Sequence, residues 1–515
     1  MRLDKLQISN FKNLRNFAVD FDEQSPTTVL VGRNGTGKSN LLEALTIIFR
    51  DLDLGAAPSF DYVLEYVCRG YKVKVEANAR DRAKATVDGG VVPYKELGQV
   101  YGQRYLPNYV FGYYSGPSNR MEEHFEKHQE RFYRDLLDGK DQPLRPLFYA
   151  RPIHSQFVLL AFFLKQDEET RKFLREHLGI DELDSVLFVM NEPPWQSKEG
   201  DERFWKARGT VSQFLDRLYG LALAPLRLER RVSAGSRKTT SREHLYLYLK
   251  DVDALRGLSE HYGTQQELFK ALESTYISEL IREVRIRVKA RNVDGSLTFR
   301  ELSEGEQQLL MVLGLLRFTK EEESLFLLDE PDTHLNPAWS LRYLEFLRSI
   351  AGTQHNSHII MATHDPLVIA GLTRSQVQIM RRNDETGQIA AEYPADDPKG
   401  MGIAGLLTSE VYGLRSELDL ETLHMLDEKR ALAAKEELTD QERSKLKALD
   451  ERLRGLDFTT TVRDPMYKHF VEAMAARERE EGLQAPVLTR EQQQRQKELA
   501  QQVLAELTRN PEQGN

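Results

Sequence analysis

The sequence has 515 residues, of which 40% are hydrophobic and 29% are charged, and this composition excludes an intrinsically disordered chain. It has no apolar run of about 18 residues and no signal-peptide core near its first residue, so we expect a cytoplasmic protein without membrane contact. Its 71 basic and 80 acidic residues give a net charge of −9, which excludes a uniformly basic surface for binding nucleic acid. Its single cysteine, Cys68, excludes a disulfide framework.

The first part of the chain predicts strands around a glycine-rich loop. Thr27 to Val31 is a short, β-branched run typical of a buried strand, and it leads through the loop into a helix from Ser39 to Phe49. Tyr62 to Val67 and Tyr71 to Ala77 predict a hairpin, and Val110 to Tyr114 predicts a further strand.

The middle of the chain, from residue 117 to residue 280, has a mainly helical pattern. Ser185 to Met190 and Leu245 to Leu249 are strand-like exceptions. Residues 283–300 then predict a hairpin around Asp294-Gly295.

Helices and strands alternate in the segment that follows. The predicted elements are a helix at 304–317, a strand at 324–328, a helix at 337–350, a strand at 358–362 and a helix at 366–372. This alternation predicts an α/β fold with a largely parallel sheet and covering helices.

The last hundred or so residues are strongly charged. Eight acidic and eight basic residues between Asp427 and Arg454 balance one another, which favours a solvated helical pair or a surface that docks a partner. Thr439 and Glu442 form a capping box, and residues 491–502 predict a polar terminal helix.

Gly32 to Ser39 reads GRNGTGKS, the eight-residue phosphate-binding loop, in its required place between a buried strand and a helix. An ordinary glycine turn is the alternative, but the complete match in context argues against it. We expect Lys38 to reach the phosphates of ATP and the Ser39 hydroxyl to hold Mg²⁺. The residues predicted to bind the nucleotide here are Gly32, Asn34, Gly35, Gly37, Lys38, Ser39 and Asn40.

Two adjacent acids, Asp329 and Glu330, end the buried strand at 324–328. The ends of such strands are where ligands bind in α/β sheets. We therefore predict that Asp329 binds Mg²⁺ and that Glu330 activates the attacking water. A solvated strand end before Pro331 is the alternative.

Two further segments predict contacts with phosphate. Ser303 and Gly305 lie at the start of a helix, where free N–H groups can bind an anion, although Ser303 and Glu306 also fit a simple capping box. His364 follows the strand at 358–362. A lone histidine there is usually structural, but this one is placed for a γ-phosphate contact.

The order of phosphate loop, Leu-Ser-x-Gly-Glu-Gln, Asp-Glu-Pro and Thr-His-Asp resembles the ATP-binding-cassette (ABC) superfamily. Asn10 to Asn13 and the form of the loop are similar to its SMC, RecF and break-repair branch. The resemblance implies an ABC-type ATPase head, with a mixed, largely parallel sheet and an antiparallel β-lobe. A mainly helical insertion would interrupt the head and a helical C-terminal extension would follow it.

The resemblance also implies roles for single residues. Two heads would join head to tail around ATP and Mg²⁺, as a homodimer or higher homo-oligomer, with Ser303 and Gly305 contacting the γ-phosphate held by the other copy. Glu330 would be the general base and His364 the switch histidine. The implied nucleotide contacts outside the phosphate loop are Lys12, Asn13, Ser303, Gly305 and Glu306.

The chain departs from the family at one position. A glutamine is expected at the strand end that opens the helical lobe, but Ser115-Gly116 follows Tyr114. Gln156 is the nearest later candidate, and ordinary packing is its alternative role.

The C-terminal segments at 405–414 and 463–467 resemble the PtuA-like ATPase subunits of Septu and retron defence systems. Members of that kind act with a separate nuclease, commonly of the HNH type. No Asp-x-Asp pair follows His364, so we expect the chain not to be a nuclease itself. The predicted divisions are 1–116 and 281–398 for the head, 117–280 for the insertion and 399–515 for the extension.

Three functions compete at this stage. The first is a cytoplasmic ATPase that controls a separate effector nuclease in anti-phage defence. The second is a RecF-like DNA-repair ATPase that binds DNA directly. The third is a scaffold in which ATP joins subunits without being hydrolysed.

Two basic segments are candidate contacts for DNA or RNA. Arg230, Arg231, Arg237 and Lys238 lie in a predicted Ser/Gly/Thr-rich loop that could follow a phosphate backbone. Basic residues also alternate with apolar ones at 284–291, as on a strand with one basic face. A solvated face, or an edge strand protected by charge, is the alternative for both segments.

Overall fold

The structure is a computed structural model that describes most of the chain. The described residues are 1–79, 83–93, 97, 105–141, 144–164, 168–233, 239–291, 296–319, 322–351, 356–435, 437–455, 465–483 and 488–509. The predicted turn at Asp294-Gly295 and the predicted nucleic-acid contacts Arg237 and Lys238 lie outside them.

Strands are concentrated in the first four hundred residues. In chain order they are β1 (Arg2–Phe11), β2 (Leu14–Asp20), β3 (Thr27–Val31), β4 (Tyr62–Cys68), β5 (Tyr71–Ala77), β6 (Lys84–Val87), β7 (Gly90–Val92), β8 (Tyr109–Tyr114), β9 (Leu147–Tyr149), β10 (Ile180–Asn191), β11 (Leu226–Ser233), β12 (Thr239–Leu249), β13 (Ile281–Ala290), β14 (Ser296–Thr298), β15 (Ser324–Asp329), β16 (Ser357–Ala362), β17 (Val377–Arg382) and β18 (Ile389–Glu392).

Helices occur throughout the chain and dominate its end. They are α1 (Lys38–Leu54), α2 (Glu126–Leu137), α3 (Ile153–Leu164), α4 (Glu168–His177), α5 (Gly209–Leu221), α6 (Val252–Ser259), α7 (Gln265–Ile277), α8 (Glu304–Thr319), α9 (Pro337–Ala351), α10 (Pro366–Ile369), α11 (Gly402–Thr408), α12 (Leu420–Ala433), α13 (Asp440–Gly455), α14 (Pro465–Glu480) and α15 (Arg490–Arg509). Among the described residues, no helix is both long and apolar enough to cross a lipid bilayer.

The central sheet has the strand order β18-β17-β3-β16-β15-β8-β9. Neighbours from β17 to β9 pair in parallel, and β18 is antiparallel at one edge. The strands β3, β15 and β16 are buried along their full length, as expected where helices cover both faces. Helix α1 packs against β8, β15 and β16. The predicted α/β fold with a largely parallel sheet is confirmed.

A second sheet is antiparallel and has the strand order β2-β1-β4-β5-β6-β7. It confirms the predicted β-lobe. Inward-facing and outward-facing residues alternate along β4, the pattern of a sheet with one face on the core. Arg69 and Gly70 join β4 to β5 with φ values of 50° and 80°. Positive φ at both positions matches the twist of a two-residue hairpin.

A third sheet, which we call the insertion sheet, has the strand order β11-β12-β10-β13-β14 and is antiparallel. The two strand-like segments predicted within the helical region are confirmed as parts of β10 and β12. The predicted loop around Arg230 is wrong, because β11 pairs with β12 along its whole length. Leu226 and Leu228 of this edge strand are 51% and 36% exposed, so β11 lacks the burial pattern that identifies a strand.

A buried ion cluster ties the helices to the central sheet. Arg145, just before β9, donates to Glu273 of α7 at 2.6 Å, and His154 of α3 lies 2.8 Å from the second oxygen of the same carboxylate. Burial raises the pKa of Glu273, but its two partners outweigh this effect and hold the pKa at about 2. Buried charges of this kind are tolerated only when paired, so the cluster fixes α3 and α7 beside β9.

The chain divides into two compact units, one of Met1–Val368 with Ser375–Tyr393 and one of Ile369–Arg374 with Pro394–Asn515. In the second unit α12 packs on α13 around Leu426 and Leu453, and α14 packs on α15. The predicted capping box at Thr439 and Glu442 is present. The helical C-terminal region is confirmed, while the predicted boundaries at 116, 280 and 398 stay predictions.

Candidate functional site

The phosphate loop connects β3 to α1 and requires glycine at two positions. Gly32 has a φ of 150°, and a Cβ atom there would lie 2.3 Å from the Met380 carbonyl oxygen. Gly37 has a φ of 91°, and its Cβ would lie 2.8 Å from Leu14. Any larger residue would displace the backbone, so the glycines fix the shape of the loop.

Lys38 is held inside this loop. Its side chain is 5% exposed, and its Nζ donates to the Gly32 carbonyl oxygen at 2.9 Å. Burial lowers the pKa of Lys38 to about 8, while Asp329 and Glu330 act in the opposite direction. The ammonium is therefore charged at pH 7 and lies where the loop would receive phosphate.

The turn between β1 and β2 supports the loop from one side. Asn13 donates to the Gly35 carbonyl oxygen at 2.9 Å, and Asn40 donates to Asn13 Oδ1 at 2.6 Å. Lys12, at a φ of 52° in the same turn, binds the Glu43 carboxylate. The structure thus brings the predicted residues of this turn to the phosphate loop, whose Asn34 is exposed.

Asp329 lies at the end of β15, beside the start of α1. Its side chain is 3% exposed, and its Oδ1 atom is buried and has no hydrogen-bond partner among the described residues. Burial raises the pKa of this carboxyl to about 6, although the nearby Ser39 hydroxyl lowers it. The two residues predicted to bind Mg²⁺ are therefore adjacent.

Glu330 follows in a strained backbone conformation with a φ of 53°. Its N–H donates to the Ala362 carbonyl oxygen at 2.9 Å, which places it beside the end of β16. His364 Nε2 lies 3.4 Å from Glu330 Oε1. Burial and the charge of Lys38 lower the pKa of His364 while Glu330 raises it, and the ring is neutral at pH 7.

Asp332 and Thr363 are site residues that the sequence reasoning missed. Thr363 donates its hydroxyl to Asp332 and its N–H to the Leu30 carbonyl oxygen, so it links the turn after β15 to β3. Burial raises the pKa of Asp332 to about 6, against the hydrogen bond from Thr363. The link holds His364 and Glu330 on neighbouring turns.

Ser115 occupies the strand end where the family pattern has glutamine. Its N–H donates to the Asp329 carbonyl oxygen at 3.2 Å, and its hydroxyl lies 3.1 Å from Thr333 Oγ1. Gln156 lies in α3, with its Oε1 atom buried and without a partner.

The start of α8 forms the expected capping box. Ser303 donates its N–H and hydroxyl to Glu306, whose own N–H donates to Ser303 at 3.2 Å. A Cβ on Gly305 would lie 2.3 Å from the His334 carbonyl oxygen. The helix borders a cavity of about 770 Å³, and the described lining of this cavity includes no residue of the phosphate loop.

The predicted basic segments differ in how their charges are used. Arg230 and Arg231 are exposed on β11, Arg230 faces Arg242 on β12, and none of the three forms an ion pair with a described residue. On β13, by contrast, Arg285 binds Glu283 at 2.9 Å and Lys289 binds Glu182 at 3.0 Å, so the solvated, charge-protected alternative fits that strand.

A second group that the sequence reasoning missed surrounds Glu43, one turn into α1. Its side chain is 5% exposed, and its carboxylate receives Lys12, Arg120 at 2.8 Å and His124 at 2.9 Å. Burial raises the pKa of Glu43, but hydrogen bonds from these partners hold it at about 2. The spacing from Ser39 to Glu43 puts both on one helical face, which is the only local signal available.

A phosphate loop, an acidic strand end, a following histidine and a capped helix thus share one edge of a largely parallel sheet. This set of features is typical of a nucleotide-binding ATPase head. Residues 1–87 match the family described as "AAA ATPase domain". Residues 160–370 match the family described as "AAA domain, putative AbiEii toxin, Type IV TA system".

Individual relatives give a narrower comparison. The Septu protein PtuA of Bacillus mycoides is 25% identical over 228 residues, which is 42% of this chain and 31% of PtuA. The chain thus spans about a third of that relative's length. The protein named "Retron Ec83 probable ATPase" of Escherichia coli is 20% identical, covering 75% of this chain and 72% of that protein. The solved SMC head domain of Thermotoga maritima aligns with a TM-score of 0.32 and 15% identity, over 76% of this chain and 99% of that domain.

In sequence, the chain is therefore similar to the ATPases of two defence systems, and two of its segments match AAA family models. The roles of its single residues stay predictions.

Proposed function

We propose that this chain binds ATP with Mg²⁺ at the phosphate loop and hydrolyses it to ADP and phosphate. The observation that carries the proposal is the position of Asp329 and Glu330 at the end of β15, with the Ser39 hydroxyl near Asp329 and Lys38 held inside the loop. The strands β3 and β15 and the helix α1 position these side chains, and sites built on such elements are held more precisely than sites on loops.

The residues present fit a magnesium ion. The buried Oδ1 atom of Asp329 lacks a hydrogen-bond partner, and Mg²⁺ prefers oxygen ligands such as this one and the Ser39 hydroxyl. Three or more His, Cys, Asp or Glu side chains nowhere cluster as a complete metal site among the described residues, so Asp329 and Ser39 would be few protein ligands for the ion. A site with few protein ligands is typical of Mg²⁺ bound together with substrate phosphates, where it neutralises developing charge.

The chain's own residues then divide the chemistry. Glu330 accepts a proton from the attacking water, and its carboxylate lies 3.4 Å from His364 in a backbone conformation that is typical of functional sites. Lys38 supplies positive charge against the transferred phosphoryl group. His364, neutral at pH 7 and adjacent to Glu330, orients the water by hydrogen bonding.

We also propose that ATP joins two copies head to tail and that the dimer regulates a separate nuclease, HNH-type favoured, in anti-phage defence. The Leu-Ser-x-Gly-Glu-Gln segment that contains Ser303 and Gly305 supports the dimer, since in the ABC superfamily, which it resembles, this segment contacts the nucleotide held by the other copy. The resemblance to Septu and retron ATPases supports the nuclease partner. Co-expression with the neighbouring open reading frame tests the partner, and failure to co-purify with a nuclease would contradict it.

ATP turnover by the purified chain tests the proposed activity. Lys38→Ala removes the cation inside the loop, and we expect both ATP binding and turnover to fall to background. Lys5→Ala, on β1 away from the loop, is the matched control and keeps wild-type turnover. Turnover that persists in Lys38→Ala would contradict the proposal. Wild-type protein that binds ATP without turnover would instead support the non-hydrolysing scaffold.

Direct DNA binding, as in a RecF-like protein, is the second candidate. The exposed Arg230 and Arg231, which form no ion pair with described residues, favour it. It predicts salt-sensitive duplex binding that weakens in Arg230→Gln/Arg231→Gln. The control, Arg285→Gln/Lys289→Gln, alters arginine and lysine side chains that are already paired and leaves binding unchanged. Equal DNA binding by all three proteins would remove this candidate.

A further inference from the structure

Three basic side chains share the one buried carboxylate of Glu43. Lys12 and Arg120 form ion pairs with it, and His124 is a third partner. The side chains of Lys12 and Arg120 are 44% and 35% exposed, so both also face solvent. Of these cations, Arg120 comes from the start of the helical region rather than from the sheets beside the loop.

Arg120 makes a second contact that leads to the phosphate loop. The same Nη2 atom that binds Glu43 also donates to Asn40, the residue after Ser39. Asn40 in turn donates to Asn13, and Asn13 donates to the Gly35 carbonyl oxygen. One guanidinium therefore holds the first turn of α1 and, through two amides, the tip of the loop.

On its other side Arg120 leads into the helical region. A short 3-10 helix at Glu122–Phe125 follows it and continues into α2. Within this segment Glu122 accepts from Arg151 at 2.7 Å, and the Arg151 N–H donates to His154 in α3. Arg120 is thus connected to α2 along the chain, and the 3-10 helix that follows it is connected to α3 through Arg151 by polar contacts shorter than 3 Å.

We propose that Arg120 is a positioning residue that fixes the first turn of α1 for nucleotide binding and transmits nucleotide occupancy to the 3-10 helix and α2. The inference rests on the proposed function, because it assumes that ATP binds the phosphate loop. Arg120 acts through Asn40 and Glu43, and it contacts neither the attacking water nor Glu330 in this account.

The test measures equilibrium binding of a fluorescent ATP analogue with Mg²⁺. Arg120→Gln keeps a hydrogen-bonding side chain but removes the charge, and we expect affinity to fall about tenfold or more, as for lost hydrogen bonds to charged groups. Arg120→Lys restores the charge and recovers part of that loss. Arg131→Gln, an exposed arginine on α2, is the matched control and binds as wild type.

Hydrogen exchange supplies a readout that a purely structural role would not change. ATP should protect the backbone amides of residues 122–137 in wild type and in Arg120→Lys, but not in Arg120→Gln. Wild-type affinity in Arg120→Gln, or equal protection in all variants, overturns the inference. If Arg120→Gln does not fold, Arg120→Lys provides the test. Wild-type affinity for ATP combined with no ATP protection of residues 122–137 in Arg120→Lys would overturn the inference. Lys38→Ala separates the two proposals, because ATP binding that survives this change contradicts the proposed function itself.

Discussion

Asp329 combines deep burial with an unpartnered oxygen atom, a costly arrangement for a carboxylate. Such a group lowers the free energy of unfolding of the ligand-free protein, as is common at positions where function and stability conflict. The nearby Lys38 has the same character, since burial lowers its pKa to about 8 while its charge is kept. At this scale the site combines a buried carboxylate, Asp329, with a buried ammonium group, Lys38, and we propose that Mg²⁺ and phosphate bind to them.

The pH dependence of stability tests this reading of Asp329. Its pKa is raised from 3.8 to about 6, so the folded chain binds the proton more tightly than the unfolded chain. Stability from this group is therefore present below pH 4 and is lost as the pH rises to about 6. We expect Asp329→Asn to be more stable than wild type at pH 8, by at most about 3 kcal/mol, in the absence of nucleotide.

Thermal unfolding at pH 8 and at pH 5 measures the effect, which should shrink at the lower pH. Asp384→Asn, at an exposed turn, is the control and should change neither midpoint. A variant of Asp329 that is no more stable than wild type at pH 8 would show that the carboxylate is not penalised by burial.

Single residues differed in how far the sequence could reveal them. Lys38, Ser39 and Asp329 stand in contiguous motifs whose chemistry depends on local order. Glu43 and Arg120 were missed because their contact joins positions 77 residues apart, and neither lies in a motif. Only the folded chain brings such pairs together.

At the scale of elements, the start of α8 is defined by how closely it approaches the segment after β15. Gly305 packs against the His334 carbonyl oxygen, and no side chain fits between them. The capping box of Ser303 and Glu306 fixes the same turn from within. The helix start is therefore packed directly against the turn that follows Glu330.

Gly305→Ala tests this contact. The added methyl group would meet a backbone oxygen at 2.3 Å, so we expect a destabilisation of about 1–3 kcal/mol, as for overpacking, together with reduced ATP turnover. Gly220→Ala in α5 is the matched control, since nothing lies within 4 Å of its Cβ, and it should be neutral or slightly stabilising. Unfolding midpoints compare the two, and an unchanged midpoint in Gly305→Ala would mean that the helix start is free to shift.

Elements also differed in how well their sequences identified them. The strands β3, β15 and β16 are continuous apolar runs because both of their faces are covered, and each was predicted within a residue or two. The edge strand β11 has exposed leucines and arginines, and its partner β12 rather than its own pattern makes it a strand. Pairing between distant segments is not written in either segment alone.

At the scale of the whole molecule, we predict that two copies complete each nucleotide site. The resemblance of the segment at Ser303 to the ABC signature implies that this helix start contacts ATP held by a second copy. We expect light scattering to detect dimers of Glu330→Gln with ATP and monomers with ADP. Glu330→Gln/Ser303→Arg should remain monomeric while still binding ATP. Dimers of this double variant, or identical masses with both nucleotides, would contradict head-to-tail assembly.

We propose above all that Glu330 is the general base that activates the attacking water, while other residues bind ATP. Turnover and ATP affinity of wild type and Glu330→Gln, measured side by side, test it most directly. We expect Glu330→Gln to bind ATP with wild-type affinity and to hydrolyse it about a hundredfold or more slowly, the range for loss of a general base. Hydrolysis by Glu330→Gln at the wild-type rate would contradict it.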